Sequence, residues 1–211
     1  EFQRVVDLGA DGMLFDECLH HSPALFCFDT SHGHRYGASV YANDNELIRR
    51  FREQADPVSP DFLYAGEACY DLQFGMYQLS YHRSESSRHL PVMRYMLPEV
   101  PLMTAVTGFD DRNMINQCLL YRYIISYEPY NFKGRLPDFP RTVAYGAKMD
   151  SLRHEYRAYL WDGEFCYHDG ATVEADGEPY EPYAVFRRRS DGARAVVVAN
   201  YHLETPKHVV V

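Results

Sequence analysis

Acidic residues stand where short apolar runs end or helices begin, and such positions can carry acid–base chemistry. The acids at these positions are Asp16, Glu17, Glu67, Asp110, Asp111 and Glu128. Glycoside hydrolysis needs two carboxyl groups that flank one bond, and one of them needs a raised pKa so that it holds a proton near neutral pH. Acids at successive strand ends could supply this pair. The structural alternative is that strand ends and helix N-termini attract acids in any case.

Alternating helix and strand patterns would position the first of these acids. Residues 2–8 have a short helical pattern that Gly9 ends, and Gly12–Phe15 is a continuous apolar run. A second helix begins at Asn43 or Asp44, and residues 62–66 form the next apolar run. Continuous apolar runs are typical of parallel strands, which are buried on both faces. The pattern therefore predicts parallel α/β units.

Less regular segments follow these two units. Residues 72–81 fit a strand or a short helix, 92–96 and 102–106 are predicted to be extended, 114–123 and 143–159 helical, and 124–127 a strand. Four strand–helix units make half of a (β/α)8 barrel, which typically takes about 250 residues. We therefore predict an α/β fold, the second half of a TIM barrel. The alternative is an open α/β sheet, although no G-x-G-x-x-G or P-loop motif supports it.

The character of the chain changes after Trp161. Short alternating segments are separated by the turn signals Asp162-Gly163, Asp176-Gly177 and Asp191-Gly192. This pattern predicts the start of an antiparallel β-domain. The predicted organisation is a barrel half over residues 1–160 and an incomplete β-domain over residues 161–211, within a longer polypeptide.

Composition excludes several classes of function. The net charge is −9, which argues against nucleic acid and against an anionic membrane surface as partners. No run of 18 apolar residues is present, so no transmembrane helix is predicted. The five cysteines are widely spaced and odd in number, which favours reduced thiols in a cytoplasm, while secretion stays open. No cofactor is predicted, and the 18 tyrosines could supply stacking platforms for a carbohydrate substrate.

Two of the acidic strand ends resemble a known family. Residues 9–17 resemble the fourth strand of retaining α-glycosidase barrels of the α-amylase superfamily, which carries the nucleophilic Asp and a His four residues later. Asp16 and His20 match that spacing. The next strand of that family ends in Gly-Glu, and Gly66-Glu67 is similar. The resemblance implies that Asp16 is the nucleophile and Glu67 the general acid/base of a retaining glycosidase.

Further segments extend the resemblance, and others depart from it. Residues 148–153 and 162–165 resemble the last barrel helix and the entry to the C-terminal β-domain of the family. Leu14 stands where the family has Arg, and no His precedes Asp110. The α-galactosidase-like barrels also place a nucleophilic Asp after strand four, but their acid/base comes from a later strand. In that alternative, Asp110 or Asp111 would replace Glu67.

These considerations give a predicted site for a retaining glycosidase acting on an oligo- or polysaccharide. The catalytic set is Asp16, Glu67 and Asp110, with Glu17 as a competing nucleophile. The third carboxylate would orient the substrate, and Glu99 and Asp111 are the alternatives to Asp110 for that role. The predicted substrate-binding residues are Glu17, His20, His21, His32, Tyr64, Arg94, Glu99 and Asp111. A retaining mechanism requires the two main carboxyl groups to face each other at roughly 5–6 Å.

Two other functions fit the sequence. One is a non-catalytic carbohydrate-binding protein with a degenerate barrel. The other is a metal-dependent hydrolase that uses the histidine-rich loop, with His20, His21, His32 and His34 as ligands. Neither histidine pair has the i, i+4 spacing of a typical helical zinc site, so we predict no metal. The more specific interpretation is that these histidines bind sugar hydroxyls, and the structural alternative is a surface loop.

Overall fold

The computed structural model describes most of the chain and divides it into two compact units. The described residues are 1–16, 26–31, 33–39, 44–67, 74, 76–82, 89–107, 110–128 and 134–211. The first unit is Glu1–His82 and the second unit is Arg83–Val211. No helix among the described residues is long and apolar enough to cross a membrane.

The first unit alternates helices with strands. Its elements are α1 (Phe2–Asp7), β1 (Gly12–Phe15), β2 (Phe26–Cys27), β3 (Ala38–Ser39), α2 (Asp44–Ala55), β4 (Leu63–Gly66) and β5 (Leu79–His82). β1, β4 and β5 pair in parallel in that order, whereas β2 and β3 form a small antiparallel pair. The predicted helix–strand alternation of this region is confirmed, and the ambiguous segment 72–81 ends in a strand.

Aromatic side chains form the core of the first unit between the helices and the parallel strands. Phe2 of α1 stacks on Phe51 of α2 with ring centroids 4.1 Å apart, and it meets Phe62 edge-on at 5.6 Å. Ile48 and Tyr77 are also buried in this cluster. Because each such ring buries a large apolar area, this cluster holds the helix layer against the strands.

The first part of the second unit contains α-helices and two parallel strands. Its first elements are α3 (Val92–Met96), β6 (Leu102–Val106), α4 (Arg112–Leu120), β7 (Tyr123–Tyr127), α5 (Pro140–Glu155) and α6 (Arg157–Leu160). β6 and β7 pair in parallel, and α4 packs against both strands and against α5. Pro140 opens α5, where its fixed φ favours a first helical turn.

Antiparallel strands make up the rest of the second unit. They are β8 (Glu164–Tyr167), β9 (Glu174–Ala175), β10 (Glu178–Pro179), β11 (Tyr183–Arg187), β12 (Arg194–Val198) and β13 (Val209–Val210). They form two three-stranded sheets, β12-β11-β8 and β10-β9-β13. Asp176 and Gly177 both have positive φ in the two-residue turn between β9 and β10, as the Asp-Gly signal predicts. The division at residue 160 into a barrel half and a β-domain stays a prediction.

One predicted element is wrong. Residues 92–96, Val-Met-Arg-Tyr-Met, were expected to be extended but form α3. The β-branched and aromatic residues favour a strand locally. Tertiary contacts override that preference, since Arg94 in the middle of α3 is buried and donates to carbonyls of distant segments. The three cysteines that the structure describes, Cys27, Cys118 and Cys166, are free thiols.

Candidate active site

The pairing of β1 with β4 brings two of the predicted catalytic acids to one strand edge. The register aligns Phe15 with Gly66, so Asp16 and Glu67 are the next residues on the two neighbouring strands. The Glu67 amide donates to the Phe15 carbonyl at 3.1 Å, which extends the ladder by one hydrogen bond. The two acids therefore lie side by side at the carboxyl end of this strand pair.

Strand alternation also fixes which face the two acids share. Phe15 stacks on Phe51 of α2 at 5.5 Å, and Tyr64 stacks on Phe2 of α1 at 6.3 Å, so these two strand residues face the helices. Successive side chains on a strand point to opposite faces. Asp16 comes one residue after Phe15, and Glu67 three after Tyr64. The same alternation, continued one residue past the end of each strand, assigns both acids to the face that points away from α1 and α2.

The two acids differ in their exposure to solvent. Asp16 is exposed to solvent, whereas Glu67 is only 8% exposed. On the same face and nearer the amino ends of the strands, Leu14 is 50% exposed and Leu63 is 42% exposed. This partly exposed apolar face is thus followed by one exposed acid and one shielded acid, and both acids have interactions with their surroundings.

Two glycines allow the close approach that places these acids. A Cβ on Gly12 would lie 2.6 Å from the Leu63 carbonyl oxygen, and a Cβ on Gly66 would lie 3.0 Å from the Tyr77 ring. Only a residue without a side chain lets β1 approach β4 this closely at its amino end. The close contact of Gly12 with Leu63 and the packing of Tyr77 against Gly66 therefore stabilise the register that aligns Asp16 with Glu67.

Tyr64 was predicted to bind substrate, and the structure places it in the core instead. Its ring is fully buried among the aromatic residues of α1 and α2. Its hydroxyl donates to Asp56 at 3.3 Å, and the Arg52 guanidinium lies 4.5 Å from the ring centroid. Burial, with a further contribution from the Asp56 carboxylate, raises the pKa of Tyr64 to about 12. The prediction is wrong because Tyr64 lies on the helix face of β4.

The second unit has its own acidic strand end. Glu128 directly follows β7, is only 8% exposed and accepts a hydrogen bond from the Ser126 hydroxyl at 2.9 Å. Its amide donates to the Val106 carbonyl at 3.1 Å, which continues the β6–β7 ladder. Glu128 was recognised in the sequence as a strand-end acid but was given no role. A prediction that β7 pairs in parallel with β6 would have placed Glu128 at the shared carboxyl end of the two strands and could have identified it.

Asp110 and Asp111 have different surroundings although they are neighbours. Arg112 binds both carboxylate oxygens of Asp110, at 2.6 and 2.7 Å, and this lowers the pKa of Asp110. A carboxylate held in its ionised form is poorly suited to be a general acid. Asp111 immediately precedes α4 and accepts from the Thr107 amide at 2.9 Å, while its own amide donates to the Thr142 hydroxyl at 3.0 Å. These contacts give Asp111 a part in shaping the loop between β6 and α4.

Arg94 was predicted to bind substrate but is 1% exposed. All three of its side-chain nitrogens donate to main-chain carbonyls, with Nε to Tyr121 at 2.8 Å and Nη2 to Arg122 at 3.0 Å. Nη1 donates to Pro98 and Val100, each at 2.8 Å. The prediction for Arg94 is wrong, because its donors join the segments that precede β6 and β7 and it offers no surface to a ligand.

Glu99, a further predicted substrate-binding residue, lies in the same region of the second unit. It is exposed and pairs with Arg122, 3.7 Å away, and with Arg189. Glu99 thus belongs to a group of ion pairs beside the segment that precedes β6. The predicted residues Glu17, His20, His21 and His32 lie outside the described residues, so the loop that they belong to stays a prediction.

Comparison with known proteins adds no assignment. No protein-family model matches the chain, and searches against curated proteins and against solved structures find no similar protein. Within the residues that the structure describes, no group of three His, Cys, Asp or Glu side chains could hold a metal ion. The candidate site therefore rests on the geometry of the β1 and β4 strand ends.

Proposed function

We propose that the chain belongs to a retaining glycoside hydrolase, with Asp16 as nucleophile and Glu67 as general acid/base. The observation that carries the proposal is the register of β1 with β4, which sets the two acids side by side on one face. Neighbouring strands are about 4.7–4.9 Å apart. The two carboxyl groups of retaining enzymes are about 5–5.5 Å apart, whereas those of inverting enzymes need about 6.5–9.5 Å. Adjacent strand ends thus favour retention.

The difference in exposure favours the proposed division of roles. In the first step, the exposed Asp16 carboxylate attacks the anomeric carbon while the shielded Glu67 carboxyl gives its proton to the leaving oxygen. The glycosidic bond breaks and a glycosyl ester forms on Asp16. In the second step, Glu67 takes a proton from water, and the resulting hydroxide displaces Asp16 from the anomeric carbon.

Together with this function we propose that the parallel strands and helices belong to a (β/α)8 barrel. The parallel pairs β1–β4 and β6–β7, each connected through helices, are consistent with strand–helix units of a (β/α)8 barrel. In such barrels, active sites lie at the carboxyl ends of the strands. The positions of Asp16, Glu67 and Glu128, each directly after a parallel strand, agree with this expectation. The antiparallel sheets after α6 would then form the accompanying β-domain.

Substitution of the two carboxyl groups tests the proposal. Turnover would first be sought on a panel of aryl α- and β-glycosides, with the anomer released followed by NMR. Asp16→Asn and Glu67→Gln should each lower kcat by about a thousandfold, within the range that a single acid–base group supplies. Glu67→Gln should keep more activity on substrates with a dinitrophenyl leaving group, because such a leaving group needs no proton.

The matched control is Asp11→Asn. Asp11 is an exposed acid beside the amino end of β1, so the same change there should leave turnover unaltered. Turnover within a few fold of the parent protein in Asp16→Asn or Glu67→Gln would contradict the assigned roles. A protein that turns over no glycoside of the panel would contradict the proposed activity.

A further inference from the structure

Glu128 lies at the carboxyl end of the parallel pair formed by β6 and β7. Its amide donates to the Val106 carbonyl at 3.1 Å, one residue beyond the aligned pair Val106 and Tyr127. Glu128 therefore extends the ladder, and the pairing of the two strands fixes the main chain that carries its carboxyl group. In (β/α)8 barrels this is the end of the strands at which active sites lie.

The side chains of Glu128 and the neighbouring Tyr127 belong to opposite faces of this strand pair. The Tyr127 hydroxyl lies so close to Gly146 of α5 that any side chain at position 146 would overlap it, and Ile115 of α4 borders the same space. Tyr127 therefore faces the helices. The Ser126 hydroxyl donates to the Glu128 carboxylate at 2.9 Å, as residues two apart on one face of a strand can. Ser126 and Glu128 thus share the face away from the helices, which is the interior face of the proposed barrel.

The other acids of this unit that were predicted to orient substrate have different surroundings. Asp110 is bound through both carboxylate oxygens by Arg112 of α4. Asp111 accepts a hydrogen bond from a main-chain amide of the loop between β6 and α4. Glu99 precedes β6 and so lies at the opposite end of the strand pair. Of these four acids, Glu128 is the one that is buried.

A shielded carboxylate beside a hydroxyl group suits the recognition of a neutral sugar. A carboxylate accepts hydrogen bonds and donates none, and its two oxygens offer about four acceptor positions. One such group can therefore accept from the Ser126 hydroxyl and from hydroxyls of a sugar ring together. Hydrogen bonds to a charged group are stronger than neutral ones, and a low local dielectric strengthens them further. The same negative charge disfavours an acidic sugar, because two carboxylates repel each other.

We propose that Glu128 is the substrate-orienting carboxylate of the glycosidase, that it accepts hydrogen bonds from hydroxyl groups of a neutral sugar, and that Ser126 positions it. The assignment gives Glu128 the role that the sequence suggested for Asp110, and it selects neutral over acidic glycans. It rests on the proposed function for the reaction that it serves, whereas the binding of a sugar can be measured without turnover.

Replacing the charge of Glu128 tests the assignment in turnover. Glu128→Gln keeps the size of the side chain, and on an aryl glycoside that the parent protein hydrolyses it should raise KM roughly 10- to 100-fold, with a smaller effect on kcat. Monodeoxy versions of that glycoside identify the hydroxyls involved. Once the bound hydroxyl is absent from the substrate, Glu128→Gln should weaken turnover no further. A merely structural role of Glu128 would not depend on which hydroxyl the substrate carries.

Sugar binding gives a second measurement, which needs no turnover. NMR titration with the methyl glycosides of glucose, galactose, mannose and xylose compares the Kd of the parent protein with that of Glu128→Gln, in which binding should be at least tenfold weaker. Glu178→Gln, the same change at an exposed acid of β10, is the control and should leave the Kd unaltered. Methyl glucuronide should bind the parent protein more weakly than methyl glucoside, and this difference should shrink in Glu128→Gln.

Ser126→Ala keeps the carboxylate but removes its hydroxyl donor, so it should raise KM and Kd a few fold, and it decides the question if Glu128→Gln does not fold. Parent-like KM and Kd in Glu128→Gln, or a loss found in Asp110→Asn instead, would overturn the assignment and leave the proposed hydrolysis intact. Neutral sugar bound through Glu128 without turnover of any glycoside would support the assignment and contradict hydrolysis. Neither binding nor turnover would overturn both.

Discussion

Charged residues at two sets of strand ends have opposite surroundings in this molecule. At the carboxyl ends of β1 and β4 in the first unit, Asp16 is exposed and Glu67 is shielded on one side of an open face. At the amino ends of β6 and β7 in the second unit, Arg94 and Arg122 are buried and donate to main-chain carbonyls. A buried guanidinium that donates to several main-chain carbonyls holds segments together, whereas the acids at the ends of β1 and β4 lie beside a partly exposed face.

The arginine region shows how such a charge is accommodated. Burial lowers the pKa of Arg94 to about 10, and the guanidinium therefore remains charged at neutral pH. Burying an ion is costly unless its hydrogen bonds are satisfied. The carbonyls before β6 and β7 supply that compensation. Arg122 extends the same arrangement by donating to Trp161 and Gly163, at the entry to β8.

The largest effect is expected from removing the guanidinium of Arg94. Arg94→Met should lower the free energy of unfolding by about 3–5 kcal/mol, because several buried carbonyls lose their donor at once. Urea denaturation followed by circular dichroism measures the change. Arg189→Met removes an exposed arginine that contacts Glu99 and the Asp162 carbonyl, and it should cost at most about 1 kcal/mol. Equal losses in the two variants would remove the contrast between buried and exposed charges.

A smaller effect is expected where β1 approaches β4. Gly12→Ala places a Cβ 2.6 Å from the Leu63 carbonyl, so the backbone must move, at a cost of about 1–3 kcal/mol. The same movement should reduce glycosidase turnover by shifting Asp16 against Glu67. Gly33→Ala is the control, since no atom lies within 4 Å of a Cβ at that position. A Gly12→Ala protein as stable and active as the parent would show that the pairing of Asp16 with Glu67 tolerates movement of β1.

A destabilisation that becomes smaller at alkaline pH is expected from replacing Tyr64. Its pKa is raised to about 12, above the ordinary value of about 10, so its contribution to stability is complete below about pH 10 and is lost as pH rises through 12. Tyr64→Phe should therefore destabilise the protein at pH 8 by about 0.5–1.5 kcal/mol, and by less at pH 11. Urea midpoints at the two pH values measure the difference. Exposed Tyr36→Phe is the control, and a gap that does not narrow at Tyr64 would contradict the core assignment.

The smallest effect is expected at Asp110, whose side chain is 35% exposed. Its ion pair with Arg112 lies where water and salt screen the attraction. Asp110→Asn should leave the urea midpoint at pH 7 unchanged within error. A clear destabilisation would show that Asp110 has a structural role like that of the buried arginines. It would argue against a role of Asp110 in orienting substrate.

The short apolar runs made much of the fold predictable. β1 and β4 fall where continuous apolar runs indicated strands, β6 and β7 fall on segments predicted to be extended or a strand, and α2 and α4 fall on helical patterns. These elements could be predicted because each depends on a pattern of apolar residues within its own segment. α3 could not be predicted from its own residues, because the position of Arg94 is determined by carbonyls from segments far along the sequence.

The candidate site divides in the same way. The sequence by itself determined that Asp16 and Glu67 each follow an apolar run, since element ends are marked by a local change from apolar to acidic residues. Only the tertiary structure decided that the two strands are neighbours in register, and that Tyr64 turns to the helices while Glu67 does not. The physical reason is that strand pairing and the choice of buried face depend on packing against distant elements, which no local pattern specifies.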